Sequence, residues 1–149
     1  MREAVFLDRD GVLNAVIVRD GRPYPPQGVE ELEVLPGVED ACRSLHNAGL
    51  ILVCVTNQPD VARGTQSRKR VEEINEILVK RLHLDAVLVC YHDDKDGCAC
   101  RKPKPGLLIQ AAASMGIDLC GSTMIGDRWR DIAAGEAAGC RTVFIDHGY

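Results

Sequence analysis

No apolar run in this chain of 149 residues approaches the ~18–20 needed to span a bilayer. The N-terminus, Met1-Arg2-Glu3, runs straight into a strand-like segment, without the apolar core and cleavage site of a secretory leader. Both absences point to a cytoplasmic protein with no membrane partner. Excess basic charge is missing as well. Lys+Arg number 18 against 22 Asp+Glu, a net charge of −4, which argues against a general nucleic-acid binder but leaves room for a local basic pocket. No internal repeat or low-complexity stretch is present. What remains is ordinary globular composition, 46% hydrophobic and 27% charged. A chain of this length makes one domain, 1–149, and folding buries roughly 68–70% of its extended surface, enough for a core without disulfides. Seven cysteines, an odd count in a reducing compartment, read as metal ligands or buried thiols.

Five short apolar runs stand out: Ala4–Leu7, Leu50–Val55, Ala86–Val89, Thr123–Ile125 and Thr142–Ile145. Their continuity and β-branched content predict strands buried on both faces. Between them lie helical patterns. Val38, Ala41, Cys42 and Leu45 share one face, and Val71, Ile74, Leu78 and Leu82 share another. Leu107, Leu108, Ala111, Ala112 and Met115 make a third, and Ile132 to Ala138 a fourth, stopped by Gly139. This alternation predicts an α/β fold with a doubly wound, Rossmann-like parallel sheet. Residues 14–36 break the rhythm with the hairpin signal Asp20-Gly21 and the prolines Pro23, Pro25 and Pro26, and read as a small flap.

Polar motifs follow the first four runs, where parallel sheets bind ligands. Asp8-Arg9-Asp10-Gly11 puts two carboxylates two apart, able to share a cation or merely to cap a turn. Thr56-Asn57-Gln58 offers a hydroxyl and amides to an anion, or makes a turn. Arg101-Lys102-Pro103-Lys104-Pro105-Gly106 sets cations beside a proline-stiffened helix entry, a fixed anion site or a solvated loop. Gly126-Asp127-Arg128-Trp129-Arg130-Asp131 places acids at i and i+4 where a helix starts, by itself as consistent with capping as with chemistry. Cys90-x-His92 and Cys98-x-Cys100 supply four soft or imidazole ligands within residues 90–100, the set a tetrahedral structural zinc takes. Asp93 to Gly97 reads as a polar, flexible connector. Cys42, Cys54, Cys120 and Cys140 read as small core or near-core residues. His46 and His83 read as solvent-facing, and His147 as able to approach the site.

In this order D-x-D-G-V, T-N-Q, R-K-P-x-P-G and G-D-x-x-x-D resemble the haloacid dehalogenase-like phosphohydrolase superfamily. The T-N-Q and C-R-K-P-K-P-G forms resemble the branch holding the D-glycero-D-manno-heptose-1,7-bisphosphate and histidinol phosphatases. The likeness spans residues 4–146, and Cys90, His92, Cys98 and Cys100 fall on that branch's zinc loop. It implies an Mg²⁺-dependent phosphatase acting through an aspartyl-phosphate. Asp8 would be nucleophile and Asp10 general acid/base, with Thr56 and Lys102 holding the phosphoryl oxygens. Mg²⁺ would sit at Asp8, the Asp10 carbonyl and Asp127, with Asp131 as a water-mediated partner. Asn57, Gln58, Arg101 and Arg128 would bind substrate. The zinc would be structural, since four protein ligands leave no open position. Arg63 follows T-N-Q in the family pattern without an assigned role. No insertion is long enough for a cap domain, so the flap and the zinc loop are the only lids.

The resemblance gives heptose 1,7-bisphosphate, cleaved at C7, as the expected substrate. Histidinol phosphate and a polynucleotide 3′-phosphate are rivals within the same chemistry, and a zinc-stabilised binding module without activity is the rival outside it. Family members continue beyond the fifth strand for longer than this chain does, an expectation of an exposed sheet face and of a monomer or weak dimer.

Overall fold

The computed structural model describes residues 1–148. Its strands are β1 (Ala4–Leu7), β2 (Ile17–Arg19), β3 (Arg22–Tyr24), β4 (Ile51–Asn57), β5 (Ala86–Cys90), β6 (Thr123–Gly126) and β7 (Arg141–Phe144). Five of them form one all-parallel sheet in the order β5-β4-β1-β6-β7, with Ala4 opposite Ile51 and Val5 opposite Thr123. The helices are α1 (Val38–Asn47), α2 (Arg68–Leu82), α3 (Gly106–Met115) and α4 (Trp129–Ala138).

Side-chain alternation divides the core in two. Val5, Leu7, Leu52 and Cys54 point to α1 and α2, against Cys42, Ile74, Leu78 and Leu82. Phe6, Val53, Val55 and Met124 point to the other face, against Leu107, Leu108 and Ala111 of α3 and Ala134 of α4. Helices on both faces are what the doubly wound expectation requires. Only the central strands are buried on both faces, however. β5 is half-buried along most of its length, and β7 carries exposed Val143 and Phe144. Both are edge strands, so one flank of each lacks a neighbour.

The flap is a two-stranded hairpin, β2 against β3. Asp20 and Gly21 both take positive φ, 51° and 73°, as its two-residue turn demands. Gln66 donates to the Pro26 carbonyl at 3.2 Å and ties the flap to the entry of α2. Among the described residues, no helix is long and apolar enough to cross a membrane.

Candidate active site

β1 delivers the first motif. Its last residue, Leu7, is buried in the centre of the sheet, and the chain then turns sharply. The Arg9 carbonyl accepts from Leu13 at 2.9 Å and Asn14 at 3.2 Å, and Gly11 takes a φ of 90° that L side chains rarely adopt. Asp8 and Asp10 are thereby presented at the carboxyl end of the sheet. His147 reaches the same turn, with Nε2 2.6 Å from the Gly11 carbonyl.

Lys102 meets Asp8 from the opposite direction. Its Nζ is buried and gives its three protons to Asp8 Oδ1 at 2.9 Å, Asp131 Oδ1 at 2.6 Å and the Val55 carbonyl at 2.9 Å. Burial works against the ammonium, but Asp8 and Asp131 outweigh it and hold Lys102 firmly protonated. Asn57 fixes the backbone behind it, donating to the Lys102 carbonyl and accepting from the Lys102 N–H, both at 3.1 Å. Gln58 donates to Asp10 Oδ2 at 2.8 Å and to Thr56 Oγ1 at 3.0 Å. Asn57 and Gln58 both line the cavity at this end of the sheet, but their amides are engaged by the protein's own groups. Thr56 is buried beside them at the end of β4.

The fourth motif completes the cluster. Asp131 reaches back from the first turn of α4, where its Oδ2 accepts the Arg128 backbone N–H at 3.1 Å. Carboxylate oxygens of Asp8, Asp127 and Asp131 lie within 4.8 Å of one another, and all three residues are buried. Asp131, expected as a water-mediated partner, shares this cluster with Asp8 and Asp127. Three buried carboxylates face one ammonium, because Asp10 has its own partner in Arg9. The deficit of positive charge fits a divalent cation held by hard oxygen ligands. It also appears at Asp8. Burial, with Asp131 and Asp10, pushes its carboxyl up from 3.8 to about 8 against the pull of Lys102.

Asp10 behaves oppositely. Burial would raise its carboxyl, but Arg9 and hydrogen bonds from Asn14 and Gln58 outweigh that and hold it below its ordinary value. Two residues absent from the sequence expectations enter here. Arg9 is wholly buried, with its Nη1 2.9 Å from Asn75 Oδ1 on α2. One signal for Asn75 existed: it is a polar residue beside Ile74 on the apolar stripe of α2.

The cysteine loop packs against the same mouth. Sγ of Cys90 and Cys98 lie 3.6 Å apart, as do those of Cys98 and Cys100, while His92 Nδ1 is 3.5 Å from Cys90 and 3.3 Å from Cys100. A tetrahedral zinc with bonds of about 2.3 Å has edges of about 3.8 Å, so these four contacts suit such an ion. The Cys90–Cys100 edge is shorter, 2.7 Å. Burial opposes ionisation of Cys98, but hydrogen bonds from the Arg101 backbone and its cysteine neighbours bring the thiol down to about 6. The connector is more ordered than its composition suggests. Asp93 caps a 3-10 turn over Asp94–Asp96 and pairs with Arg63 at 2.9 Å, which gives Arg63 a place. Asp94 pairs with Arg101 at 2.6 Å and lies 4.0 Å from Arg130. Of the other thiols, Cys42, Cys54 and Cys140 are buried as expected, while Cys120 is exposed.

One cavity gathers these parts. Asp8, Asp10 and Lys102 line it, Pro23, Tyr24 and Pro25 of the flap wall one side, and Arg63, Arg101, Arg128 and Arg130 line it as well. Five cations stand there against four carboxylates, Asp8, Asp10, Asp60 and Asp131, in a chain whose net charge is −4.

Comparison with known proteins agrees with this geometry. A HAD-hydrolase-like family model matches residues 99–149. The D-glycero-beta-D-manno-heptose-1,7-bisphosphate 7-phosphatase of Vibrio cholerae is 36% identical over 97% of this chain and 81% of its own length. That of Escherichia coli is 35% identical over 93% and 76%. The crystal structure of D,D-heptose 1,7-bisphosphate phosphatase from B. bronchiseptica, complexed with magnesium and phosphate, superposes with a TM-score of 0.83. It is 34% identical, over 94% of this chain and 78% of that one. The chain therefore belongs to the haloacid dehalogenase-like hydrolases, as a phosphatase of the branch that holds the heptose-1,7-bisphosphate 7-phosphatases.

Proposed function

We propose that this chain is an Mg²⁺-dependent phosphatase that removes the C7 phosphate of D-glycero-D-manno-heptose 1,7-bisphosphate, a small cytoplasmic substrate. The observation that carries the reading is the cavity itself: a buried carboxylate–ammonium cluster bordered by four arginines. One phosphate needs the cluster, and the rim arginines, Arg101 among them already holding a carboxylate, suit a second anionic group on the same molecule.

Asp8 is the nucleophile. A carboxylate oxygen attacks phosphorus, the bond to the sugar oxygen breaks, and that oxygen takes its proton from Asp10. Water then attacks the aspartyl-phosphate, gives its proton to Asp10, and Asp8 departs as carboxylate with inorganic phosphate released. Asp10 rests ionised beside Arg9, so the arrival of a phosphate dianion matters: like charge raises its proton affinity toward that of a working acid. Thr56 and Lys102 hold the phosphoryl oxygens. Mg²⁺ would be held by Asp8, the Asp10 carbonyl and Asp127, with Asp131 close by. It supplies charge neutralisation for the transferring phosphoryl group.

Cys90, His92, Cys98 and Cys100 would hold a structural Zn²⁺ that fixes the loop carrying Asp93 and Asp94. Arg101 and Arg128 bind the distal phosphate, joined by Arg130. The pairing of Arg101 with the carboxylate of Asp94 supports Arg101 as an anion partner.

Phosphate release tests the substrate. The panel contains both heptose 1,7-bisphosphate anomers, histidinol phosphate and a 3′-phosphorylated oligonucleotide, each with and without Mg²⁺. A preference of about 100-fold in kcat/KM for one heptose anomer, equal to ~2.7 kcal/mol of differential transition-state binding, is expected. Preference for another member assigns the substrate to that member. No release from anything restores the binding-module alternative.

A further inference from the structure

Arg9 stands between the two aspartates of the first motif, and the chemistry above gives it no part. Yet it is the largest wholly buried side chain among the described residues. A buried guanidinium survives only where its charge and its donors are met. Here Nε donates to Asp10 Oδ1 at 3.1 Å, Nη2 to Asp10 Oδ2 at 3.3 Å, and Nη1 to Asn75 Oδ1 at 2.9 Å. The two bonds to Asp10 form a fork, which fixes the plane of a carboxylate as a single point charge does not. Asn75 lies 66 residues away on α2, so the fork is braced against the helix layer rather than only against its own turn. Asn14 and Gln58 add one donor to each Asp10 oxygen, at 3.0 and 2.8 Å.

We propose that Arg9, braced by Asn75, is a positioning residue that aims the Asp10 carboxyl at the leaving oxygen of the substrate. The inference rests on the reading of Asp10 as general acid. Its consequence is specific. An alkoxide leaving group needs its proton in the transition state, whereas 4-nitrophenolate leaves without one. A misaimed acid therefore costs rate on a sugar phosphate and little on 4-nitrophenyl phosphate. A residue serving only to hold the fold together has no reason to distinguish the two.

The experiment measures kcat/KM, which reports the first phosphoryl transfer, for heptose 1,7-bisphosphate and 4-nitrophenyl phosphate in the Mg²⁺-loaded wild type, Asn75→Ala, Arg9→Lys and Asp10→Asn. Arg9→Lys keeps the charge and removes the fork. Asn75→Ala keeps the fork and removes the brace, and it decides the matter if Arg9→Lys does not fold. The expected result is a loss of about tenfold or more on the sugar substrate with less than about threefold on the aryl one, the pattern of Asp10→Asn in milder form. Equal losses on both substrates, or none, in a folded Asn75→Ala overturn the inference while Asp10→Asn stays selective. An Asp10→Asn variant that is itself unselective overturns the acid reading and the inference with it.

Discussion

Asp8 is asked to be an anion in a buried site that already holds Asp131 and Asp10, and burial together with those two charges raises its carboxyl. A group raised from 3.8 to about 8 in the fold stabilises it fully below its unfolded value and loses that contribution as pH rises through about 8. Mg²⁺-free protein with its cysteine loop left undisturbed therefore melts at falling temperature between about pH 4 and pH 8, and Mg²⁺ opposes the fall. Asp8→Asn flattens the slope and abolishes turnover while keeping the fold. Thermal melts across pH, with and without Mg²⁺, check this; a flat Mg²⁺-free profile in the wild type contradicts it. Gly126 is the second residue under constraint. A Cβ there would stand 2.1 Å from Cβ of Asp131, so only glycine lets α4 bring that carboxylate to Lys102. Gly126→Ala is expected to cost about 1–3 kcal/mol of stability by overpacking. Turnover is expected to fall by about tenfold or more as Asp131 leaves Lys102. Chemical denaturation and kinetics on the same sample check it, and an unchanged kcat refutes it.

At the scale of elements, the cysteine loop and the start of α4 make the rim together. Asp94 of the loop meets Arg101 and approaches Arg130, so stripping a metal held by the four loop ligands is expected to loosen this arginine rim more than the Asp8 cluster. Chelator-treated protein, reloaded with Mg²⁺, should show KM for the bisphosphate raised several-fold, with little change on 4-nitrophenyl phosphate. Parallel collapse on both substrates would show that the loop supports the whole domain. Arg130→Ala should raise KM for the bisphosphate without affecting hydrolysis of the aryl monophosphate; an unchanged KM removes Arg130 from the rim. The strands and helices were legible because unbroken apolar runs and 3.6-residue stripes are local patterns. Which strands sit at the edges was not, since the half-exposure of β5 and β7 follows from their place in the sheet order. The order in Asp93–Gly97 was hidden for a similar reason: it comes from Arg63, 30 residues away, and from Arg101.

For the whole molecule, topology does the gathering. β1 and β4 are central, β6 adjoins β1, and their carboxyl ends bring residues 8, 56 and 127 to one place, with the loop after β5 adding residues 101 and 102. The sequence motifs named those residues one by one, and their convergence was readable because parallel strands open at the same end. The Arg9–Asn75 brace was not readable, since a contact between a buried loop and a helix layer leaves no periodic trace. A net charge of −4 likewise concealed a cavity bordered by four arginines. On the proposed reading this cavity cleaves one phosphate through Asp8 and holds the other. Phosphorus NMR of heptose 1,7-bisphosphate during turnover tests it most directly. The account predicts Mg²⁺-dependent loss of the C7 phosphate resonance, a persisting C1 phosphate, and no change with Asp8→Asn. Loss of the C1 phosphate, or turnover that survives in Asp8→Asn, would contradict it.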